Sequence, residues 1–261
     1  MKVTALGSGS KGNCMLLEGG SGSLLVDAGL AAREIQARLA LAGADPGSIE
    51  AILVTHEHTD HIRGLDVMAR RFDIPVIATR GTLAEFFLHR KVSRKMVTTV
   101  TTLTCHPGTT LEIGDFKIEP FSVSHDAQDP CGYCIEERGL RLGYCTDTGL
   151  LSGEVIELFR RCDGLVLESN HCPRMLKDGP YPAMLKRRIQ SRRGHLSNEQ
   201  AGACLQLLGH DLRAVMLAHL SEINNTPVVA EECARRALGL FADNVALQVA
   251  LQETISAPME I

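Results

Sequence analysis

Short apolar runs alternate with stretches of helical periodicity along most of the chain. Short runs bounded by Gly, Ser or Pro are typical of β-strands, whereas apolar positions spaced three and four apart indicate amphipathic helices. The predicted strands cover residues 3–6, 15–17, 24–26, 51–54, 75–78, 116–123, 133–135, 140–145, 165–167, 215–218 and 245–249. The predicted helices cover residues 31–41, 62–72, 155–159, 198–208 and 228–238. This order predicts an α/β fold, an αββα sandwich of two mixed β-sheets with helices on the outer faces, in one domain over 1–261.

The composition narrows the class of protein. Hydrophobic residues make up 44% and charged residues 22%, which is typical of a globular chain and argues against disorder. The net charge of −4 does not by itself indicate a nucleic-acid partner. No apolar stretch follows Lys2, and no run is long enough to span a bilayer, so we expect a cytoplasmic protein without membrane contact. The nine cysteines should then be reduced, and Cys131-Gly-Tyr-Cys134 should be structural rather than a separate zinc or redox site.

The strongest chemical signal is the run His56-Glu57-His58-Thr59-Asp60-His61, between a predicted strand and a predicted helix. Side chains two residues apart in extended chain point the same way, so His56 and His58 are placed to bind one ion together. Asp60 and His61, at the turn into the helix, point towards a second ion. Imidazole and carboxylate ligands suit Zn²⁺, Mn²⁺ or Fe²⁺. The alternative is a polar helix N-terminus capped by Asp60, which three histidines within six positions make the weaker interpretation.

This run resembles the HxHxDH signature of the metallo-β-lactamase fold, and further motifs follow in the expected order over essentially the whole chain. Asp27, at the end of a predicted strand, matches the motif that braces the metal loop by hydrogen bonds; a turn residue before Gly29 is the alternative. Three more matches, each at a strand end, complete the ligand motifs: His125, Asp147 and His219. The resemblance implies one metal held by His56, His58 and His125, a second held by Asp60, His61 and His219, and Asp147 shared between them.

Two divalent ions held in this way leave a position for a shared hydroxide, which attacks phosphorus in line. Asp60 and His195 are the expected catalytic residues. The segment Gly194-His195-Leu196-Ser197 resembles the His-Ser-Thr loop of tRNase Z-type enzymes, in which the histidine acts at the phosphate as a stabilising group or general acid. The alternative is a structural one, with His195 next to a helix whose N-cap is Ser197.

Three local features favour a phosphodiester substrate. Residues 177–193 carry six Lys or Arg against one Asp, which would attract a phosphate backbone if they lie near the metals. The glycine-rich turn over residues 8–13 is a second candidate phosphate cradle built from backbone N–H groups. Each feature also has a structural alternative, as a solvated helix face or a tight turn. The expected substrate-binding residues are Ser10, Asn13, Asn170, His171, Arg187, Arg188, Arg192, Arg193 and Ser197.

The spacing between the motifs distinguishes related families. The gap from His125 to Asp147 is too short for the tRNA-gripping arm of tRNase Z, and the gap from Asp147 to His219 is too short for the inserted domain of ribonuclease J-type enzymes. Three short strings are similar to the YycJ (WalJ) family of bacterial proteins: Gly-Ser-Gly-Ser-Lys-Gly-Asn-Cys near the start, Leu-Glu-Ser-Asn-His at 167–171, and Asn-Asn-Thr-Pro at 224–227. That resemblance implies 5′→3′ exonuclease activity on DNA.

Other functions remain open from the sequence. Hydrolysis of a small cyclic nucleotide would use the same metals without the basic run. A metal-binding regulatory protein without turnover, or an oxidoreductase that uses iron, would need the ligands but not a phosphate site. The basic run favours nucleic acid as the partner, with DNA as the expected polymer. The native metal, DNA versus RNA, strand polarity and oligomeric state are left open.

Overall fold

The computed structural model describes residues 1–20, 22–92 and 99–261. Within them, fourteen strands form two seven-stranded sheets. The first sheet, in spatial order, consists of β14 (Met259–Glu260), β1 (Lys2–Gly7), β2 (Cys14–Glu18), β3 (Ser23–Val26), β4 (Ile49–Leu53), β5 (Val76–Thr79) and β6 (Thr102–Cys105). The second consists of β13 (Ala246–Val249), β12 (Ala214–Ala218), β11 (Gly164–Glu168), β10 (Leu140–Cys145), β9 (Cys131–Glu137), β8 (Phe116–Ser122) and β7 (Leu111–Ile113).

The described residues also form nine α-helices and two short 3₁₀ turns. The helices are α1 (Ala32–Leu41), α2 (Thr59–Ile62), α3 (Leu65–Phe72), α4 (Arg80–Val92), α5 (Gly153–Phe159), α6 (Pro173–Asp178), α7 (Ala183–Ile189), α8 (Asn198–Leu208) and α9 (Pro227–Leu238). The 3₁₀ turns span Pro46–Ser48 and Gly239–Phe241. No helix among the described residues is both long and apolar enough to cross a membrane.

Three apolar layers hold the sheets and helices together. Alternate strand residues point to opposite faces, so Met15 and Leu17 of β2 face the second sheet, whereas Leu16 faces α1 and α3. The outer face of the second sheet is covered in the same way by α5, α8 and α9. The predicted αββα fold is therefore confirmed, and the assignment of 1–261 to one domain stays a prediction.

The direction of the strands gathers the chemistry at one edge. β3, β4, β5 and β6 run parallel to one another, as do β10, β11, β12 and β13. The carboxyl ends of parallel strands lie on the same edge of a sheet, which is where ligands bind in open α/β folds. The loops that follow β3, β4, β10 and β12 carry the residues singled out in the sequence.

One predicted helix is interrupted. The periodicity over 62–72 predicts a continuous helix, but the structure has α2 and α3 with a break at Gly64. The Gly64 N–H donates to the Ala28 carbonyl at 2.8 Å, and a Cβ at this position would collide with the Leu30 carbonyl oxygen. Close contact with the loop after β3 therefore ends the first helix, which leaves α2 as a single turn that presents Asp60 and His61.

Several elements were not predicted: α4, α6, α7, β6, β7 and β14. The strands are short and lie at or next to sheet edges, where one face is solvated and the apolar alternation is weak. α6 and α7 have six and seven residues, and α7 buries none of them. A helix without an apolar stripe gives no periodic signal, because that signal records burial rather than helicity.

Candidate metal centre

The first group of possible metal-binding atoms forms around two histidines in the loop after β4, His56 and His58. Nε2 of His56 lies 3.0 Å from Nδ1 of His58. His125, from the loop after β8, joins them, so that one ring nitrogen from each residue lies within 4.8 Å of the others. These are the three residues expected to hold the first ion.

A second group forms around Asp60. His61 follows it in α2, and His219 directly follows β12. Nε2 of His61 lies 3.6 Å from Oδ2 of Asp60, and Nε2 of His219 lies 3.8 Å from the same oxygen. These are the residues expected to hold the second ion.

Asp147 lies between the two groups. Its Oδ2 is 3.2 Å from Nε2 of His61, and its Oδ1 is 3.9 Å from Nε2 of His125. It also forms a group with His56 and His61 in which the possible ligand atoms lie within 4.8 Å of one another. The structure therefore brings all seven expected side chains together from distant parts of the chain.

Three of the strand-end residues have an unusual backbone conformation. Asp27, Asp147 and His219 adopt left-handed φ angles of 62°, 54° and 55°. Such a conformation costs a non-glycine residue of order 1–3 kcal/mol and is found mainly where function requires it. Asp and His are among the residues that tolerate it best. The chain thus turns abruptly at three strand ends that carry site residues.

Asp27 anchors the segment that follows β4, residues 55–61, by hydrogen bonds. Its Oδ2 accepts a hydrogen bond from Nδ1 of His61 at 2.8 Å, and its Oδ1 accepts one from the Thr55 N–H at 2.9 Å. The Thr55 hydroxyl, which donates to Asp27, lies 3.1 Å from Nδ1 of His56. Both histidines therefore engage Nδ1 in the protein and leave Nε2 for a ligand, an arrangement that fixes the tautomer of a metal-binding imidazole.

Glu168 was missed by the sequence analysis. It is the last residue of β11 and is fully buried. Its Oε1 accepts hydrogen bonds from Nδ1 of His195 at 2.8 Å and from Nδ1 of His219 at 2.9 Å. Its Oε2 accepts from the N–H groups of Thr148 and Leu196. The available signal was a carboxylate ending an otherwise apolar strand, since such a group is not buried without partners.

Ionised carboxylates determine the electrostatics of the centre. Burial opposes ionisation of Glu168, but the neighbouring His195 holds the pKa of this carboxyl at about 2. Burial is likewise outweighed at Asp147, where nearby histidines, His219 first, hold the pKa well below its usual range. Burial would lower the pKa of His219, yet the surrounding carboxylates, Asp147 first, raise it to about 10. Buried carboxylates that stay ionised and raise the pKa of neighbouring imidazoles in this way are suited to a divalent cation.

Two buried atoms that could bind a metal also support a cation site. Oδ2 of Asp147 and Nε2 of His219 make no hydrogen bond to any described residue, although other donor atoms of the cluster lie nearby. Leaving such a group unsatisfied costs about 1–3 kcal/mol. A cation would satisfy both atoms, and the His and Asp donor set fits Zn²⁺, Mn²⁺ or Fe²⁺.

A cavity of about 180 Å³ lies beside the centre. His195, His219 and Asn170 line it together with residues of α7. The Asn170 side-chain amide donates to the His219 carbonyl at 2.9 Å. Burial would lower the pKa of His195, but the Glu168 carboxylate outweighs it and raises the pKa. Because Glu168 engages Nδ1, Nε2 is the nitrogen of His195 left for a substrate.

Ser197 takes the N-cap position at the start of α8, and its contact with a substrate stays a prediction. Its hydroxyl accepts a hydrogen bond from the Gln200 N–H at 3.2 Å, and the two residues form a capping box at the start of α8. This hydroxyl is therefore used to cap the helix. His171 is paired with Ser197 through a β-bridge and is also buried, and burial lowers its pKa to about 4. Nδ1 of His171 has no hydrogen-bond partner among the described residues.

The glycine-rich turn does not offer the expected backbone cradle. The Gly9 N–H donates to Oδ1 of Asn13 at 2.8 Å, and the Lys11 N–H donates to Oε1 of Gln252 at 2.7 Å. The Gly12 N–H donates to the Gly9 carbonyl. These N–H groups are already satisfied within the protein and are not available to a phosphate, which the sequence could not show.

The polar side chains of this turn contact different surroundings. Asn13 is buried, and its amide lies 3.4 Å from Oδ2 of Asp60, so it contacts the metal loop rather than solvent. The Lys11 ammonium lies 2.7 Å from a carboxylate oxygen of Glu222, which offsets its charge. Ser10 is exposed and lines the cavity, where it can meet a substrate.

The basic run lies next to the centre. Nε and Nη2 of Arg188 each lie 2.6 Å from Oδ2 of Asp126, and Arg188 lines the cavity. Nε of Arg193 donates to the His125 carbonyl at 3.2 Å. Two further arginines are exposed to solvent: Arg187 and Arg192.

The cysteine pair in β9 does not form a metal site. Cys131 faces the layer between the sheets, whereas Cys134 faces the outer layer, so the two thiols point to opposite sides. Sγ of Cys134 lies 3.9 Å from Sγ of Cys162. All nine cysteines are free thiols.

Comparison with known proteins identifies the family. A profile described as the beta-lactamase superfamily domain matches residues 23–220. The chain belongs to the metallo-β-lactamase superfamily. The matched span includes every superfamily ligand position from His56 to His219. Membership of this superfamily, together with the His and Asp cluster, implies divalent metals and supports a metal-dependent hydrolase.

Relatives within the superfamily cover most of the chain. Exodeoxyribonuclease YycJ of Bacillus anthracis is 36% identical over 234 residues, which are 88% of this chain and 86% of the relative. Exodeoxyribonuclease WalJ of Streptococcus pneumoniae is 37% identical over 230 residues, which are 88% and 85%. The predicted resemblance to the YycJ (WalJ) family is confirmed. The crystal structure of YhfI from Bacillus subtilis, a metallo-β-lactamase fold protein, matches with a TM-score of 0.71 at 18% identity over 98% of both chains, which shows the shared fold.

Proposed function

We propose that the protein is a metal-dependent phosphodiesterase that degrades DNA in the 5′→3′ direction. Two relatives that cover most of the chain are named exodeoxyribonucleases. The basic run supports a polynucleotide, because Arg188 and Arg193 contact residues 126 and 125 beside the candidate centre. Positive charge at this position would attract a phosphate backbone to the gathered ligand atoms.

Two divalent ions, Zn²⁺ or Mn²⁺ with Fe²⁺ as the third choice, are the proposed cofactors. When bound, such a pair acidifies a water for in-line attack and neutralises charge on the phosphate. Asp147 is the proposed shared ligand. The remaining ligands fall into the two groups described above, one with His56, His58 and His125 and the other with Asp60, His61 and His219.

Side chains of the protein position the phosphate and supply the proton in this proposal. His195 presents Nε2 to the phosphate and gives a proton to the departing oxygen, while Glu168 holds the opposite side of the ring. Asp60 and His195 remain the proposed catalytic residues. Ser10 and Asn170 line the cavity where the strand would enter.

The convergence of ligand atoms within 4.8 Å carries this proposal. We would strip the protein of metal, measure the stoichiometry of Zn²⁺ and Mn²⁺ on reconstitution, and then supply single- and double-stranded DNA and RNA labelled at the 5′ end. The expected result is two ions per chain and immediate release of a short labelled product from DNA. A labelled ladder that shortens gradually would contradict the proposed polarity.

The rival functions give different results in the same assay. Cleavage of cyclic nucleotides without cleavage of DNA would establish a small-molecule diesterase. Absence of hydrolysis with every metal, combined with tight metal binding, would favour a regulatory protein. Redox turnover with Fe²⁺ would favour an oxidoreductase.

A further inference from the structure

The cavity beside His195 is too small for a whole small-molecule substrate. Sites that enclose such ligands usually measure about 300–1,000 Å³, whereas this cavity is about 180 Å³. It therefore suits one group of a larger substrate. Residues of α7 line it together with His195 and His219.

Tyr181 supplies an aromatic wall to this cavity. The chain has three tyrosines and no tryptophan. Tyr133 and Tyr144 are fully buried between the sheets, whereas Tyr181 is partly exposed and lines the cavity. Leu185 and Ile189, one and two turns along α7, extend the same wall. An apolar wall led by an aromatic ring, placed beside polar groups, is the chemistry that binds the face of a nucleobase.

The backbone at Tyr181 is restricted before any ligand binds. Pro180 precedes it and Pro182 follows it. Pro182 fixes its own φ and limits the residue before it to extended conformations. The ring is thus presented by a stiff segment, which reduces the entropy lost when a base stacks on it.

The helix behind Tyr181 is tied to the rest of the site. The His195 N–H donates to the Ile189 carbonyl at 2.9 Å, and the Lys186 ammonium donates to the Lys177 carbonyl at 2.6 Å. The Arg188 guanidinium reaches Asp126, next to His125. These contacts hold the aromatic wall at a set distance from the candidate metal centre.

We propose that Tyr181 stacks on the nucleobase of the nucleotide next to the cleaved phosphate. This inference rests on the proposed nuclease function. A base within a duplex has both faces covered, and it must leave the stack before it can reach Tyr181.

The test combines two protein variants with two substrates. We compare wild type, Tyr181→Ala and Tyr181→Phe on a single-stranded DNA and on the same DNA with an abasic nucleotide at the cleaved end. Stacking of one base contributes an amount that corresponds to about a tenfold change in kcat/KM. Wild type and Tyr181→Phe should lose about tenfold on the abasic strand, whereas Tyr181→Ala should lose about tenfold on normal DNA and nothing further on the abasic strand.

Two controls separate the possible failures. Met184→Ala changes an exposed residue of the same helix that is not part of the cavity wall, and it should behave as wild type. The ratio of kcat/KM for DNA to that for bis(4-nitrophenyl) phosphate should fall about tenfold in Tyr181→Ala. If Tyr181→Ala still lost about tenfold on the abasic strand relative to normal DNA, the stacking contact alone would be overturned. Failure of wild type to cleave any DNA while it cleaves the small diester would overturn both the stacking contact and the nuclease function.

Discussion

The two walls of the site are built differently. The metal wall consists of strand-end residues that are buried, linked by hydrogen bonds and supported by Asp27 and Glu168. The wall formed by α7 is exposed and basic, and α7 buries no residue. This difference separates two tasks, because activation of water needs fixed donors whereas recognition of a strand needs reachable charge and an aromatic face. Loss of a metal ligand should therefore stop turnover on every substrate, whereas changes in the other wall should alter which substrate is used.

Loss of the shared carboxylate should have the largest effect. Asp147→Asn removes the negative charge that lies between the two groups of ligands, so we expect no measurable hydrolysis of DNA or of a small diester, with reduced metal content by atomic absorption. Asp243→Asn changes an exposed carboxylate between α9 and β13. It is the matched control and should keep full activity. Full activity in Asp147→Asn would remove the basis for a shared ligand.

Replacement of His195 should come next. His195→Ala should lower kcat on DNA by about 10²–10⁴-fold, because the alkoxide leaving group needs a proton. The loss on bis(4-nitrophenyl) phosphate should be much smaller, since nitrophenolate leaves without one. Equal losses on both substrates, measured by steady-state kinetics at saturating metal, would mean that His195 does not act as the acid.

The two supporting carboxylates should be distinguishable from each other. Glu168→Gln disturbs both His195 and His219, so a loss of about 10–100-fold should persist at saturating metal. Asp27→Asn disturbs the metal loop but not His195, so additional metal should restore most of its activity. Metal titrations of kcat for both variants check this contrast, and identical titration curves would contradict it.

The smallest effect should come from the exposed arginines. Replacing Arg187 and Arg192 together by Ala should reduce the salt dependence of single-stranded DNA binding by a slope of about 0.7 for each lost phosphate contact. Arg236→Ala, exposed on α9, provides the control. Binding isotherms at several salt concentrations measure the slope. An unchanged slope would mean that these two arginines do not contact the DNA backbone.

The sequence was most informative where side-chain identity and burial coincide. His56, His58 and Asp60 could be found because histidines and a carboxylate crowd the end of an apolar strand, and the alternating runs revealed both sheets. Glu168 could not be assigned, because its two imidazole partners come from distant loops. The choice between a backbone cradle and a tight turn at residues 8–13 stayed open, since the sequence does not record which N–H groups are already paired. α7 escaped prediction because it buries no side chain and so leaves no periodic pattern.

The left-handed backbone at Asp27, Asp147 and His219 limits how this centre can be redesigned. Residues that tolerate this region of φ, ψ space are chiefly Gly, Asn, Asp and His. Two of those four are also ordinary ligands for borderline metals. Exchanging Asp147 or His219 for cysteine, to recruit a softer metal, would therefore add conformational strain to the change of ligand. A library at these three positions should draw on the short set that satisfies both the chain path and the cation.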